Sequence, residues 1–315
     1  MTVPLPRIAA ASALLVVTLL LPLVLPGYYV DLVTQMLIYA IFAMSLDILL
    51  GYTGLPSLGH AASFGISAYT VGLVSLKITS VFWLVAGAAL GASVILSAIL
   101  GFLALRSRGV YFVMITLALS QLLWGIAYQW RSLGGGDDGL PGIGRPNLEI
   151  PVSFADAANF YYLALVFFVL VAVVLSVLVR SPFGNALKGI RESETRMTSL
   201  GYNVWLYKYL AFVIAGTVAG VAGMLAAYYK GYVSPADLSL LLSAKVMLMV
   251  ILGGAGTLIG PALGAGLIVL LENMISAQTE RWPLILGVIY VSVIMFAPLG
   301  IVGKFRRKSR KSADT

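Results

Sequence analysis

FYYLALVFFVLVAVVLSVLV, residues 160–179, runs for twenty positions without a charged side chain. A helix rises about 1.5 Å per residue, so this run is about 30 Å long, the thickness of the hydrocarbon core of a bilayer. Runs of the same kind recur at Ile8 to Pro26, Leu32 to Leu50, Gly51 to Leu76, Val81 to Leu105, Val110 to Trp130, Tyr209 to Tyr229 and Pro283 to Val302. The stretch Leu238 to Leu271 is too long for one crossing. Gly253, Gly254, Gly256, Gly260 and Pro261 loosen or stop a helix in its middle, so it divides into two spans. The predicted fold is therefore all-α and polytopic: ten transmembrane helices, some broken by glycine and proline, in a single membrane domain over residues 1–315 with no soluble domain.

Composition rules out a water-soluble domain. Of the 315 residues 60% are hydrophobic and 10% charged, against about a quarter charged in a soluble domain. There is no cysteine, which removes disulfide frameworks, thiolate metal sites and cysteine nucleophiles. The formal net charge of +8 comes from basic residues clustered beside apolar spans, a topology signal rather than a nucleic-acid footprint. Arg7 precedes an apolar run as in a secretory signal, but no small-residue cleavage site comes before Pro22 to Pro26, so this segment reads as a retained first helix.

Ten crossings place both termini on one side, and basic residues decide which. On the side of the termini lie Arg7, Arg106, Arg108, Arg180, Lys188, Arg191, Arg196, Lys208 and the tail residues Lys304, Arg306, Arg307, Lys308, Arg310 and Lys311, 14 of the 20. The opposite loops hold Lys77, Arg131, Arg145, Lys230 and Arg281, and Lys245 falls inside a span. Both termini, with a basic tail over residues 303–315, are thus expected in the cytoplasm. The outer loop 131–159 carries Gly134-Gly135-Gly136-Asp137-Asp138-Gly139 with Pro141 and Pro146, and reads as irregular and polar. In the inner loop 180–208, Ser181-Pro182 is a helix start and Gly201 a stop. Phe183, Leu187, Ile190, Met197 and Leu200 recur between them at helical spacing. Such an amphipathic helix rests either on lipid headgroups or on a partner protein.

The segment Gly51-Tyr52-Thr53-Gly54-Leu55-Pro56-Ser57-Leu58-Gly59-His60 opens a span with three glycines and a proline, unlike a lipid-facing helix. Broken backbone at membrane depth is tolerated where it is buried in protein or lines a cavity, and transporters use it to build solute sites. Gly253-x-x-Gly256 repeats the Gly51-x-x-Gly54 pattern, as in folds with a break in each half. Small residues four apart at Gly87/Gly91, Gly216/Gly220 and Gly260/Gly264 mark close helix packing. His60 is the only histidine, too few ligands for a metal; backbone hydrogen bonding is its expected use. Ser57 lies three residues before it, but the pair lacks the orienting carboxylate of a hydrolase. Asp47 and Lys245 are ionisable residues inside spans, where charge is expensive. Lys245 either snorkels to the outer interface or faces a cavity, pairing there with an anionic solute, with Asp47 or with a partner's carboxylate. No G-x-x-x-x-G-K-[ST] occurs, so any ATP is hydrolysed by another chain.

Three ordered motifs carry a resemblance: Gly51-Tyr52-Thr53-Gly54 with Ser57-Leu58-Gly59-His60-Ala61-Ala62; Gly184-x-Ala186-x-x-x-Ile190-Arg191-Glu192 leading to Leu200-Gly201; and Leu252-Gly253-Gly254-x-Gly256-Thr257-x-x-Gly260-Pro261. Together they resemble the LivM-type permeases of branched-chain amino acid ABC importers. The resemblance implies a non-enzymatic subunit of a bacterial inner membrane. Its implied partners are a second homologous permease, two cytoplasmic ATPases that hold ATP and Mg, and a periplasmic solute-binding protein. It places Gly184, Ala186, Ile190, Arg191, Glu192 and Gly201 on a coupling helix that docks on an ATPase. It places Gly51, Gly54, Ser57, Gly59, His60, Gly253 and Gly256 beside the translocation path. Lys245 departs from the acidic residue expected there, which leaves urea, short amides and organic or aromatic acids as alternative solutes. A passive channel or secondary carrier is the alternative class, and it lacks the relay of buried carboxylates it would need.

Overall fold

A computed structural model of the chain describes residues 25–148 and 156–279, with positions 18, 21, 22, 154, 281, 284, 285, 287, 288, 291 and 295 besides. The predicted first and last spans, the basic tail and the side of the termini lie outside the described residues. The helices are α1 (Gly27–Asp47), continued by a π-helical turn over Ile48–Thr53; α2 (His60–Lys77); α3 (Phe82–Ala104); α4 (Val110–Gln129); the single turn α5 (Arg131–Gly134); α6 (Ala157–Arg180); α7 (Pro182–Glu192); α8 (Glu194–Ser199); α9 (Val204–Lys230); α10 (Leu240–Gly253); and α11 (Ile259–Ser276). Among the described residues six are long and apolar enough to cross a membrane: α1 with its π turn, α3, α4, α6, α9 and α11. The chain is an all-α polytopic membrane protein.

The two remaining spans are cut short at glycine. The predicted span Gly51 to Leu76 begins only at His60: Gly51 belongs to the end of the preceding helix, and residues 54–59 are not helical. Gly54 adopts the left-handed conformation (φ 71°) and closes the π turn by donating to Leu49 O. Pro56 has no N–H with which to restart a helix. The predicted division of Leu238 to Leu271 falls at Gly253, where α10 ends after 14 residues. At about 21 Å it is too short to cross alone.

At the centre, α1 and α9 bury most of their length, with Phe42, Leu46, Phe64, Met224 and Leu225 in the core. α9 meets α2 and α3 through small residues and hydroxyls: Ser93 Oγ donates to Gly216 O at 2.8 Å and Ser67 Oγ to Gly220 O at 2.7 Å. The Ser63 and Ser97 hydroxyls bond each other at 2.9 Å. A methyl group on Gly216 or Gly220 would strike Ser97 or Ser93. This is the close approach that small-x-x-x-small spacing provides in an apolar medium. Gly260 and Gly264 are used in the same way, against the backbones of Gly253 and Met249. Gly87 and Gly91 have nothing within 4 Å.

Two loops differ from their predicted form. The loop over 131–159 is partly regular: Leu140–Pro141 (β1) pairs antiparallel with Tyr232–Val233 (β2), after a 3-10 turn at Gly136–Asp138. The amphipathic segment of 180–208 is two helices rather than one. Ser193, with extended backbone (φ −163°, ψ 105°), ends α7, and its hydroxyl accepts the Arg196 N–H to start α8. α9 also begins earlier than predicted. The Asn203 side chain accepts the Leu206 N–H at its start, so Lys208 lies within the helix and pairs with Glu194.

Candidate functional site

Helix α7 forms as its first residues dictate. Ser181 Oγ accepts the Gly184 N–H and Pro182 occupies the first helical position. Ala186, Leu187 and Ile190 are buried, and Phe183 stacks on Tyr207 at 5.5 Å. Gly184 has no room for a side chain against Val179 O at the end of α6. α7 is thereby fixed to α6 and α9; Glu192 is exposed, while the Lys188 ammonium turns back to donate to Val179 O at 3.3 Å. Gly201, in the left-handed conformation, ends the segment in open space.

Arg191 is exposed as a residue, yet its guanidinium turns inward and donates from Nη1 to Gly51 O. Its stem lies 3.1 Å from where a side chain on Gly54 would begin, and Nη1 lies 3.2 Å from the same point on Gly256. One side chain of the surface helix thus touches both glycine breaks. Beneath it, Asp47 is fully buried. Asp47 Oδ1 accepts the Gly256 N–H at 2.6 Å and Oδ2 the Leu258 N–H at 3.1 Å. Both carboxylate oxygens are thus hydrogen-bonded to backbone without water. Gly51 is required here by space: a methyl group would collide with the Asp47 carboxylate and the Gly256 backbone.

Leu258 is the only non-glycine residue with positive φ (58°) among the described residues. A branched side chain in that region is strained and persists only when its surroundings over-determine it. Here the constraint is the Asp47 carboxylate on its N–H, directly before α11. Gly256 (φ 82°) supplies a conformation that other residues adopt rarely. The break before α11 is therefore held by a residue of α1 some 210 positions away.

The other predicted site residues lie in the non-helical segment before α2, at the start of α2 and at the end of α10. Ser57 Oγ accepts the Gly59 N–H at 3.3 Å, a local turn. Gly59 abuts Thr116 O of α4, and the Ala61 N–H donates to Ser243 Oγ of α10 at 3.0 Å. His60 finds a side chain rather than backbone: Nε2 lies 2.7 Å from Ser45 Oγ, and its ring stacks on Phe42 at 5.5 Å. Because Ser45 gives its one proton to Phe42 O at 2.6 Å, His60 Nε2 is the donor in that pair. Gly253 packs against Gly260.

Lys245 does not reach Asp47. Its ammonium pairs with Glu272 of α11 and lies 4.5 Å from the centre of the Tyr39 ring. Sequence reasoning missed Glu272, which stands one residue beyond the predicted end of its span, and Leu258, whose backbone no residue-type rule marks. No group of three or more histidine, cysteine or carboxylate side chains able to hold a metal occurs among the described residues.

Residues 28–302 match the family described as branched-chain amino acid transport system, permease component. The chain is 31% identical to the high-affinity branched-chain amino acid transport system permease protein LivM of Escherichia coli, over 92% of this chain and 73% of that one. It is 30% identical to the LivM protein of Salmonella typhimurium, with the same coverage. The LivH permease protein of the same Salmonella strain is 24% identical over 84% of this chain and 91% of its own. No solved structure matches. The chain belongs to the branched-chain amino acid transport permease family and is of the LivM type.

Proposed function

We propose that this chain is one permease subunit of an ATP-driven importer in a bacterial inner membrane, taking up branched-chain amino acids delivered by a periplasmic binding protein. It works beside a LivH-like second permease, and two cytoplasmic ATPases that bind ATP and Mg²⁺ supply the energy. The permease spans the membrane ten times with both termini in the cytoplasm, and no covalent chemistry occurs on it. The observation that carries this reading is Arg191: a side chain on a capped surface helix bonded to the backbone of one membrane break and packed on the other.

The mechanism follows from that geometry. α7 docks on an ATPase at the cytoplasmic surface, with Glu192 exposed on it and Arg191 turned inward. A displacement of α7 moves Arg191, and with it Gly51 O and the Gly256 turn. Glycine at 51, 54 and 256 lets these turns change φ and ψ without side-chain collision. Asp47 transmits the motion from α1 to the start of α11 through its two N–H bonds. The permease pair then opens by turns to each side of the membrane.

The test is isolation of the tagged chain in mild detergent after co-expression with its chromosomal neighbours. Recovery of a second permease and two P-loop ATPases, whose ATP hydrolysis rises with a binding protein and leucine, is the expected result. Recovery of the chain alone, transporting in liposomes without ATP, would overturn the reading in favour of a channel or carrier.

A further inference from the structure

Asp31, Gln35, Tyr39, Ala43 and Asp47 recur every four residues and form one ridge of α1. The α10–α11 pair meets that ridge with polar groups. Asn273 Nδ2 donates to Gln35 Oε1 at 3.4 Å, Lys245 lies over the Tyr39 ring, and Gly256 and Leu258 bind Asp47. Tyr39 is twelve residues into α1, about 18 Å along the helix and so near the middle of the hydrocarbon layer. The Lys245–Glu272 pair therefore sits at mid-depth and not at the interface to which a lysine snorkels.

A closed ion pair at that depth adds little to stability, because desolvation offsets most of its attraction. Charges inside spans face protein or water and mark solute pathways. Both side chains retain some exposure, 16% for Lys245 and 20% for Glu272, so the pair is not fully enclosed by the chain. The pair presents one cation and one anion side by side, with an aromatic face beside the cation. That is the complement of a solute that carries a carboxylate and an ammonium on one carbon.

Resting on the importer reading above, we infer that Lys245 and Glu272 form a mid-membrane station for an α-amino-acid zwitterion. The two side chains exchange their mutual bond for the solute: Lys245 takes the carboxylate, and Glu272 takes the ammonium, which also gains the Tyr39 face. When the solute leaves, the pair closes again, so neither charge is stranded in the membrane. Gln35 and Asn273, nearer the outer end of α1, form the polar approach to it.

The test uses the complete transporter in proteoliposomes with its binding protein, ATP and radiolabelled L-leucine. Single changes at 245 or 272 strand the other charge and can prevent assembly, so the informative variant is Lys245→Met with Glu272→Met, an apolar pair of similar volume. It is expected to co-purify with its partners and to import leucine at least about tenfold more slowly. Uptake at the wild-type rate would overturn the station and leave the importer reading intact. A wild-type transporter without ATP-dependent uptake would overturn that reading and the station with it. A second measurement covers failure to assemble: the chain has no cysteine, so Gln35→Cys can be labelled cleanly by a charged methanethiosulfonate reagent from outside. Labelling slowed several-fold by L-leucine supports the station; no labelling, or labelling unaffected by leucine, contradicts it.

Discussion

At the first glycine break, Thr53 Oγ1 donates to Leu49 O at 2.5 Å and the Leu55 N–H to the same oxygen at 2.9 Å, so the chain leaving α1 satisfies its own end. At the second, the N–H groups of Gly256 and Leu258 find their acceptor on α1, in Asp47. Two sequences that look alike, Gly51-x-x-Gly54 and Gly253-x-x-Gly256, are thus built on different principles. The first turns its N–H donors onto its own helix, and the second turns two of them onto α1. A change at the end of α1 therefore reaches the start of α11 directly, and Arg191 sits where the two are joined.

The largest expected effect tests the closeness of the two breaks. Gly51→Ala forces a methyl group into the Asp47 carboxylate and the Gly256 backbone and should cost about 3 kcal/mol. Thermal unfolding in detergent and the membrane level of the protein would report it. The matching change Gly87→Ala, into open space, should stay within about 0.5 kcal/mol. Equal effects would mean that the breaks do not touch as described. Next comes dependence of the second break on the first: Asp47→Ala leaves the buried Leu258 N–H and the half-buried Gly256 N–H without their acceptor and should cost about 2 kcal/mol. Hydrogen exchange should rise at 256–260 and remain unchanged at 53–57. Increased exchange at both breaks would erase the asymmetry. The smallest effect concerns the anchor of α7. Ser181→Ala removes its cap, at about 1 kcal/mol, and should loosen α7 without altering exchange at either break.

Much of this architecture was legible in the sequence, because the bilayer imposes a length and an apolarity on each span. The helices over 82–104, 110–129 and 157–180 lie within a few residues of their predicted bounds. The division at Gly253 is likewise where glycine chemistry places it. Glycine and proline also marked both breaks, and Ser181-Pro182 marked the start of α7. What the sequence did not disclose is pairing. Asp47, Gly51, Gly256 and Arg191 each stood out for separate reasons, but nothing in residue type says that a carboxylate at 47 binds the N–H of residue 256. Nor does it show that Arg191 turns back toward the membrane. Lys245 stood out as a lone charge because its counter-charge lay just past the predicted end of a span. The β1–β2 ladder escaped notice because two-residue strands carry no periodicity, and Ser193 because a capping serine inside an amphipathic run looks like any surface residue.

Arg191 is the link between the surface helix and the two breaks, and the most direct test of that link is the number of leucine molecules imported per ATP hydrolysed by the reconstituted transporter carrying Arg191→Glu. Reversing the charge abolishes the bond to Gly51 O and repels Asp47, while α7 keeps its cap and its buried face. The expected result is a complex that assembles and hydrolyses ATP but imports at least about tenfold less leucine per ATP than the wild type. An unchanged ratio would contradict the link, since it would mean that α7 transmits its motion to the membrane by some other contact.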